Sequence, residues 1–468
     1  MTAAARPRAY LVDWRELPRW DLKSARAAAF RAAHPSFQRL GNFVEEAAEI
    51  VHAAREPAHE WPVYGVNNKE GVSFSHFQKG AAFNAPYKQI REDWFFHNPT
   101  RANVGSLGRV PHVPPDALTS PEYQVWRIKR GLLPDYLEIL IRLPFFLDLI
   151  ECHRVGAVKE RLFVENLCEI PIPLFEEKTQ RAIVARWREA HEKGAAARGR
   201  VEAKKAEIDA RFFSDLGLNA PARTTLPKCL AVWWKDFLRW SVSYNQQRQT
   251  GLDISKGKFP VVELGSILNL VQYGTSEKAN SIGDGVAVVR MNNIAEGEFD
   301  LSNLKHLPMP EDEVKKLLLI EGDILFNRTN SKELVGKCAV FHAKGDYVFA
   351  SYLIRIRANP AKAAADFLAH VVNSPIGRGQ INALSRQIIG QANVNTEELR
   401  SLQIPLPPLA IQREIVARVQ RGRAEIARER EVAARLSREV IAEIEALILG
   451  ETKLGGERTP GSRPRFGH

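Results

Sequence analysis

Asn166-Leu-Cys-Glu-Ile-Pro-Ile-Pro-Leu174, followed by Gln180-Arg-Ala-Ile-Val-Ala-Arg186, returns later as Glu398-Leu-Arg-Ser-Leu-Gln-Ile-Pro-Leu406 followed by Gln412-Arg-Glu-Ile-Val-Ala-Arg418. The two stretches align without a gap, Gln180 on Gln412, at a constant offset of 232 residues. Self-similarity on this scale decides the architecture before any local reading does. Weaker echoes extend it upstream. Trp20 matches Trp240, Phe37-Gln-Arg-Leu-Gly41 matches Val261-Val-Glu-Leu-Gly265, and Asp93-Trp-Phe-Phe-His-Asn98 matches Asp323-Ile-Leu-Phe-Asn327. Ser120-Pro-Glu-Tyr-Gln-Val-Trp-Arg-Ile128 matches Ala350-Ser-Tyr-Leu-Ile-Arg-Ile356. The order of elements is kept while the offset drifts, so the chain reads as module, helix, module, helix.

After each Ile-Pro boundary the pattern changes to long helices. Apolar or small residues recur at Ile183, Trp187, Ala190, Gly194, Ala197, Val201, Ile208 and Phe212, spacings that mark one helix face. The second stripe is Ile411, Ile415, Val419, Ile426, Ala433, Leu436, Val440, Ile444 and Leu447, closed by Gly450. Roughly 40 residues at ~1.5 Å rise makes each helix about 60 Å long. A stripe that long needs a partner, and an antiparallel coiled coil between the two helices supplies it, Gly194, Ala197 and Gly422 permitting close approach. The alternative is oligomerisation through the same stripes. The expected fold class is therefore mixed α/β: duplicated modules separated by two long antiparallel helices. Expected boundaries are 1–36 as an N-terminal extension, 37–174 as the first module, 175–215 as the first helix, 216–406 as the second module, 407–450 as the second helix and 451–468 as a disordered tail. Short β-rich runs in the second module (Gly285–Arg290, Gly322–Phe326, Cys338–Phe341, Tyr352–Ile356) lie between turn residues. Helical spacing follows at Asp366–Asn373, and in the first module at Asp135–Arg142.

The 468 residues carry 66 Lys+Arg against 55 Asp+Glu, a net charge of +11, which favours a polyanionic partner. No apolar run approaches the ~18–20 residues needed to cross a bilayer, and the start of the chain has no apolar signal core. Four cysteines without C-x-x-C spacing argue against a zinc ribbon or a disulfide framework, so a reduced cytoplasm is the expected compartment. Catalytic motifs are missing. Asn98-Pro99-Thr100 lacks the second proline and the aromatic of an adenine methyltransferase motif, no phosphate loop of the G-x-x-x-x-G-K-[ST] type occurs, and no histidine pair has metal spacing. Asp312 and Glu313-Val-Lys315 mimic a nuclease carboxylate-x-lysine site, but such charge runs are usually solvated helix faces. No catalytic residue, no metal and no cofactor is expected on this chain.

Recognition of bases needs bidentate donors and acceptors, Arg for guanine and Asn or Gln for adenine, while Lys, Arg, Ser and Thr hold phosphates. Where these types cluster beside turns, the candidates are Asn67, Asn68, Lys69, Asn98, Arg101 and Asn103 in the first module. In the second they are Arg290, Asn292, Asn293, Asn327, Arg328, Thr329, Asn330, Ser331, Lys332, Arg386, Gln387 and Gln391. Turns themselves demand Asn and Ser, so Asn98 and Asn327, each following a β-rich run, read as structural. Lys332, Arg101 and Arg386 read as phosphate contacts. For helix-pair packing the candidates are Ile183, Trp187, Val201 and Ile208 against Ile415, Val419, Ile426, Leu436, Val440 and Ile444.

The layout resembles the specificity subunit of type I restriction–modification enzymes. The resemblance is carried by Ile404-Pro-Leu-Pro-Pro-Leu-Ala-Ile-Gln-Arg-Glu-Ile-Val416 and its twin at Ile172-Pro-Leu174, with Tyr273-Gly-Thr, Arg290-Met-Asn-Asn-Ile294, Glu321-Gly-Asp-Ile-Leu-Phe-Asn327, Gly336-Lys-Cys-Ala-Val340 and Ala350-Ser-Tyr-Leu353. It covers roughly residues 37–450. It implies two target-recognition domains, each reading half of a bipartite asymmetric site in double-stranded DNA, with the helices as a ruler for the spacer. It also implies two modification (methyltransferase) subunits bringing S-adenosylmethionine, and restriction subunits bringing ATP, Mg and cleavage. The rival classes are a self-contained methyltransferase or nuclease and a helical scaffold that binds no DNA.

Overall fold

The computed structural model describes residues 15, 17, 20–47, 49–219, 231–236, 240–280, 283–331, 334–388 and 391–452. Two compact units divide it: Met1–Arg198 with Glu431–His468, and Gly199–Arg430. Most of the expected tail, and much of the expected extension before Ser36, lie outside the described residues.

Unit 1 opens with α1 (Leu22–Ala33), whose first turn is capped by the Asp21 carboxylate accepting from the Ser24 N–H at 2.7 Å. Strands β1 (Gln38–Arg39), β2 (Val44–Glu46), β3 (Ile50–Val51), β4 (Glu60–Asn67), β5 (Gly71–Lys79), β6 (Tyr87–Gln89), β7 (Phe95–His97), β8 (Leu107–Arg109), β9 (Leu118–Thr119) and β10 (Gln124–Ile128) follow. Then come α2 (Pro134–Leu140), α3 (Pro144–His153), α4 (Val164–Cys168), β11 (Pro171–Ile172) and the 40-residue α5 (Glu177–Leu216). The central sheet has the order β2-β10-β7-β8, all antiparallel, and β1 pairs with β11. A second sheet, β3-β6-β9-β4-β5, stands beside it.

Unit 2 repeats that frame. Its elements are α6 (Val242–Thr250), β12 (Val261–Glu263), β13 (Leu268–Tyr273), β14 (Val286–Val289), β15 (Ile294–Ala295), β16 (Glu298–Phe299), β17 (Lys305–Leu307), α7 (Glu311–Leu317), β18 (Asp323–Asn327), β19 (Thr329–Asn330), β20 (Cys338–Val340), β21 (Tyr347–Phe349) and β22 (Leu353–Ala358). They continue with α8 (Ala365–Asn373), α9 (Pro375–Leu384), β23 (Arg386–Ile388), β24 (Gln391–Asn393), α10 (Thr396–Arg400), β25 (Gln403–Pro405) and α11 (Leu409–Ile448). The sheet β13-β22-β18-β20 has the order and the antiparallel sense of β2-β10-β7-β8, and β12 pairs with β25 as β1 does with β11. What differs is what is added. In place of the five-stranded sheet, unit 2 carries β17-β14-β21, the β15-β16 hairpin and β19-β24-β23.

α2 ends at Leu140 and α8 at Asn373, as the prolines predict, and Pro144 and Pro375 each then open a further helix at its first turn, where a missing N–H costs nothing. The run from Leu143 to Ile150 is accordingly core: Leu143, Phe145, Phe146, Leu149 and Ile150 are all buried.

The duplicated glutamines explain why the repeat is retained. The Gln180 Oε1 accepts the Leu133 N–H at 2.9 Å, and its Nε2 donates to the carbonyls of Gly131 and Phe175, both at 2.8 Å. The Gln412 Oε1 accepts the Ala364 N–H at 2.8 Å, and its Nε2 donates to Lys362 (3.1 Å) and Pro407 (2.7 Å). Leu133 and Ala364 are the N-cap residues of α2 and α8. Neither cap residue brings a polar side chain, so in both units a buried amide ties the first turn of a long helix to the start of a short one.

Each long helix contributes one half to each unit, because its apolar stripe belongs to that unit's core. In unit 1, Ile183, Val184 and Ala190 pack with Val440, Ile444 and Ile448, Trp187 lies against the same cluster, and Arg186 pairs with Glu443 at 2.8 Å. In unit 2, Phe212, Phe213 and the half-buried Ile208 pack with Ile415 and Val419. There Arg200 pairs with Glu429 (2.8 Å) and Lys204 with Glu425 (2.7 Å), so four residues forward on α5 are four back on α11, the antiparallel sense. Val201 and Ile426 are buried and Leu436 is half-buried. Burying each large aliphatic side chain contributes about 1.5–3 kcal/mol, whereas the exposed ion pairs add about 1 kcal/mol or less each and set register.

Candidate nucleic-acid interface

Both candidate groups lie where the third strand of the central sheet ends. In unit 1, β7 ends at His97, which is fully enclosed. The Trp126 indole N–H donates to its Nδ1 at 3.2 Å, so the ring proton sits on Nε2 and donates to the Leu162 carbonyl at 2.9 Å. Burial pushes its pKa down to about 4, leaving the ring neutral. That neutral clamp fixes the start of the loop that follows. Asn98 Oδ1 accepts from the Thr100 N–H (3.0 Å) and hydroxyl (2.9 Å), an Asx turn that places the exposed Arg101 and the half-buried Asn103. The tip of the β4–β5 hairpin lies alongside: a Cβ built on Gly105 (φ 89°) would sit 3.6 Å from that of Asn68. In that tip Asn67 Oδ1 accepts the N–H groups of Lys69 and Glu70, both at 2.8 Å, and Lys69 is exposed. The structure thus brings Asn67, Asn68, Lys69, Arg101 and Asn103 together. Asn67 and Asn98 spend their carbonyls on turns, leaving Lys69 and Arg101 as the exposed cations.

In unit 2 the corresponding strand β18 ends at Asn327, which is buried and turned inward, its Nδ2 near the Leu334 carbonyl at 3.4 Å. Arg328 comes next. Its guanidinium lies 4.7 Å from the ring centre of Tyr273, and its backbone N–H donates to the carbonyl of the exposed Tyr352 at 3.0 Å. Its Nε is buried with no partner among the described residues. Thr329 and Asn330 form β19, which pairs with β24, and β24 pairs with β23. Candidates some sixty residues apart in sequence therefore share one three-stranded sheet, although the side chains of Arg386, Gln387 and Gln391, and all of Lys332, lie outside the described residues. The Thr329 hydroxyl donates to Asn393 Oδ1 at 3.2 Å, Asn330 Oδ1 accepts the Ser331 N–H at 2.8 Å, and Asn330 Nδ2 reaches Met291 Sδ at 3.4 Å. That last contact joins the 291–293 turn to the sheet.

Not every candidate in that turn faces outward. Asn292 is exposed, but Asn293 is buried, its amide donating to the carbonyls of Asp300 (2.9 Å) and Asn303 (3.2 Å) and accepting the Arg290 N–H (3.0 Å). Its hydrogen-bonding capacity is spent on the fold, which corrects its reading as a base contact. Arg290 likewise reaches the Asn303 carbonyl at 3.3 Å. Sequence reasoning passed over Tyr273, Tyr352 and Asn393 as site residues. The signal for the tyrosines was present, because both stand in motifs that carried the family resemblance.

The rest of the unit-2 sheet is held from behind. Asp323 is fully buried between Arg357 (2.7 Å) and Arg355 (3.6 Å), and it also accepts the Ile320 N–H at 3.0 Å. Asp312, Glu313 and Lys315 lie on α7, where Lys315 pairs with Glu311 at 2.7 Å. Among the described residues no group of His, Cys, Asp and Glu is placed to hold a metal, and no helix is long and apolar enough to cross a membrane.

Comparison with known proteins finds similarity over the second half of the chain. The family model for the type I restriction modification DNA specificity domain matches residues 255–436, from just before β12 into α11. Residues 255–436 of this chain are thus similar to the DNA specificity domain of type I restriction–modification enzymes. Among its relatives, the specificity subunit of the EcoKI type I restriction enzyme of Escherichia coli K12 is 29% identical over 165 residues, 35% of this chain and 35% of that protein. The StySPI specificity subunit of Salmonella potsdam is 29% identical over 160 residues, 34% of each. The matches thus span about a third of the curated relatives' length. A chain solved in a study of complex assembly and conformational transition of the type I R-M system shares the fold, with a TM-score of 0.52 and 18% identity over 88% of this chain and 97% of that one.

Proposed function

We propose that this chain belongs to the type I restriction–modification specificity family, reads a bipartite DNA site and contains no catalyst of its own. The observation that carries the reading is one frame built twice, each copy holding basic and amide side chains at the same strand end but decorated with different sheets. Equivalent frames give equivalent placement on a duplex, and different decoration gives different base contacts. Unit 1 reads one block through the loops around Lys69 and Arg101. Unit 2 reads the other through Arg328, Thr329, Asn330, Ser331 and the β23–β24 strands. The net charge of +11 supplies the phosphate attraction.

The finer architecture belongs to the same proposal. α5 and α11 pair as an antiparallel coiled coil over their whole length, and that length sets the undetermined spacer between the blocks. The ion pairs of opposite sense within unit 2 and the mixed apolar clusters in each unit support this. Two modification subunits bring S-adenosylmethionine and the methyl transfer, and restriction subunits bring ATP-driven translocation and cleavage, in the cytoplasm. Residues 37–174 are to be replaced by the matching segment of a related subunit and the modified sites mapped. A change in one block only is expected, and a change in both blocks or in neither refutes modular reading.

A further inference from the structure

Between α3 and α4 the chain of unit 1 makes a small hairpin that belongs to neither sheet. Val155 and Arg161 close it, each N–H donating to the other's carbonyl at 2.8 Å. Gly156 turns the chain there at φ 120°, and a Cβ on it would sit 2.8 Å from the Lys159 carbonyl oxygen. The base is braced. Arg154 pairs with Glu151 at 2.8 Å and donates to the Glu160 carbonyl at 3.0 Å, while the Glu160 carboxylate pairs with Lys23.

This hairpin has a twin. Arg154 and Leu162 stand 232 residues before Arg386 and Val394, the same offset as Gln180 and Gln412. In unit 2 that interval, between α9 and α10, holds β23 and β24. Both intervals are tied to the end of the same central strand. The Leu162 N–H donates to the Pro99 carbonyl at 2.9 Å, just beyond β7, and the Val394 N–H to the Arg328 carbonyl at 2.9 Å, just beyond β18. The tie in unit 1 brings a third segment to the loop that carries Arg101.

What that segment offers is charge and an apolar tip. Lys159 and Arg161 are exposed, and neither side chain has a partner among the described residues, whereas Glu160 between them is taken by Lys23. Ala157 and Val158 are exposed, Val158 completely, and their side chains carry no hydrogen-bonding group. One exposed valine is ordinary on a protein surface. Here it stands beside two unpaired cations, on the twin of a candidate reading hairpin, hydrogen-bonded to a candidate reading loop. In the major groove, thymine alone of the four bases presents a methyl group, the natural contact for a side chain without donors or acceptors.

We propose that the Val155–Arg161 hairpin is a third DNA-reading segment of unit 1, in which Lys159 and Arg161 hold phosphates and Val158 chooses one base by packing on a thymine methyl group. The inference rests on the reading of the chain as a DNA specificity subunit and adds to it a residue that selects a base. The test uses this chain assembled with the proposed modification subunits and a duplex carrying its selected site. Each thymine in the block that exchange of residues 37–174 alters is replaced in turn by deoxyuridine, which pairs alike and lacks the methyl group. One replacement should weaken binding about fourfold, the effect of removing one methyl group from an apolar contact. Val158→Ser should weaken binding to the unmodified duplex by a similar factor, ignore that same replacement and melt like the natural chain, its side chain being fully exposed. Lys159→Gln and Arg161→Gln should weaken binding to all sequences alike and flatten its salt dependence. The proposal is overturned if no thymine methyl group in that block matters, or if Val158→Ser keeps the natural sensitivity to its loss. Binding untouched by all three variants also overturns it and returns the hairpin to a role outside DNA contact. An assembly that selects no bipartite site at all is a different result: it refutes the specificity reading, and the hairpin assignment falls with it.

Discussion

Replacing Gln180 or Gln412 by alanine removes the clamp that each unit repeats. Each side chain accepts one backbone N–H and donates to two carbonyls, all in buried or half-buried surroundings. Leaving a buried donor unsatisfied costs about 1–3 kcal/mol, and the two carbonyls, each with a second lone pair, cost less apiece, so the expected loss is about 3–5 kcal/mol per variant. Gln412→Met keeps the volume and removes the hydrogen bonds. It should lose nearly as much, whereas the exposed neighbour Glu414→Ala should stay within about 0.5 kcal/mol. Urea unfolding followed by circular dichroism gives the total, and hydrogen exchange locates it. Gln180→Ala should speed exchange at the start of α2 and leave the start of α8 protected, and Gln412→Ala the reverse. Losses below about 1 kcal/mol, or a Gln412→Met variant as stable as the natural chain, would refute the clamp.

Acid should weaken both units through buried histidines. His97 and His370 have pKa values lowered to about 4 by burial, while the unfolded chain protonates near 6.5. Each therefore contributes stability that is complete above pH 6.5 and falls as pH drops toward 4, up to about 3 kcal/mol apiece, read as urea midpoints across that range; a flat profile contradicts it. Within the long helices two glycines should respond with opposite sign. Gly199 has open space around a built Cβ, so Gly199→Ala should stabilise by about 0.5–1 kcal/mol, whereas a Cβ on Gly422 would sit 2.6 Å from Ile208 Cδ1, and Gly422→Ala should lose up to about 2 kcal/mol in thermal melts. Asp323→Ala leaves Arg355 buried without its carboxylate and should cost about 3–5 kcal/mol by denaturant unfolding. Arg328→Ala should lower target affinity by about 1–3 kcal/mol and relax the choice of one base in one block, measured by competition binding; weakening equal for all sequences would make it a phosphate contact.

The elements with local signals were legible. The stripe from Ile183 to Phe212 lies within α5, and that from Ile411 to Leu447 within α11, because helical period is written in neighbouring residues. The repeat anchored on Gln180 and Gln412 located equivalent elements but not their reason, since a glutamine reveals its partners only once Leu133 and Ala364 are placed. The five-stranded sheet of unit 1 was not legible: β4 runs parallel to β9, more than fifty residues away, and contains Pro62 and Gly65. β19, β23 and β24 hold two or three residues each, too few for a period. At the candidate interface residue type was informative and direction was not. Asn292 and Asn293 are identical in kind, yet one faces solvent and the other is consumed by the Asp300 and Asn303 carbonyls. Tyr273 and Tyr352 stood in recognisable motifs, and their placement around Arg328 is what gives those motifs a place at the candidate interface.

The most direct measurement is selection of bound duplexes from a fully randomised pool by this chain assembled with the proposed modification subunits, followed by sequencing. The account predicts two short determined blocks of unrelated sequence at a fixed separation, with undetermined bases between them. One contiguous motif, or two blocks whose separation varies freely, would contradict it.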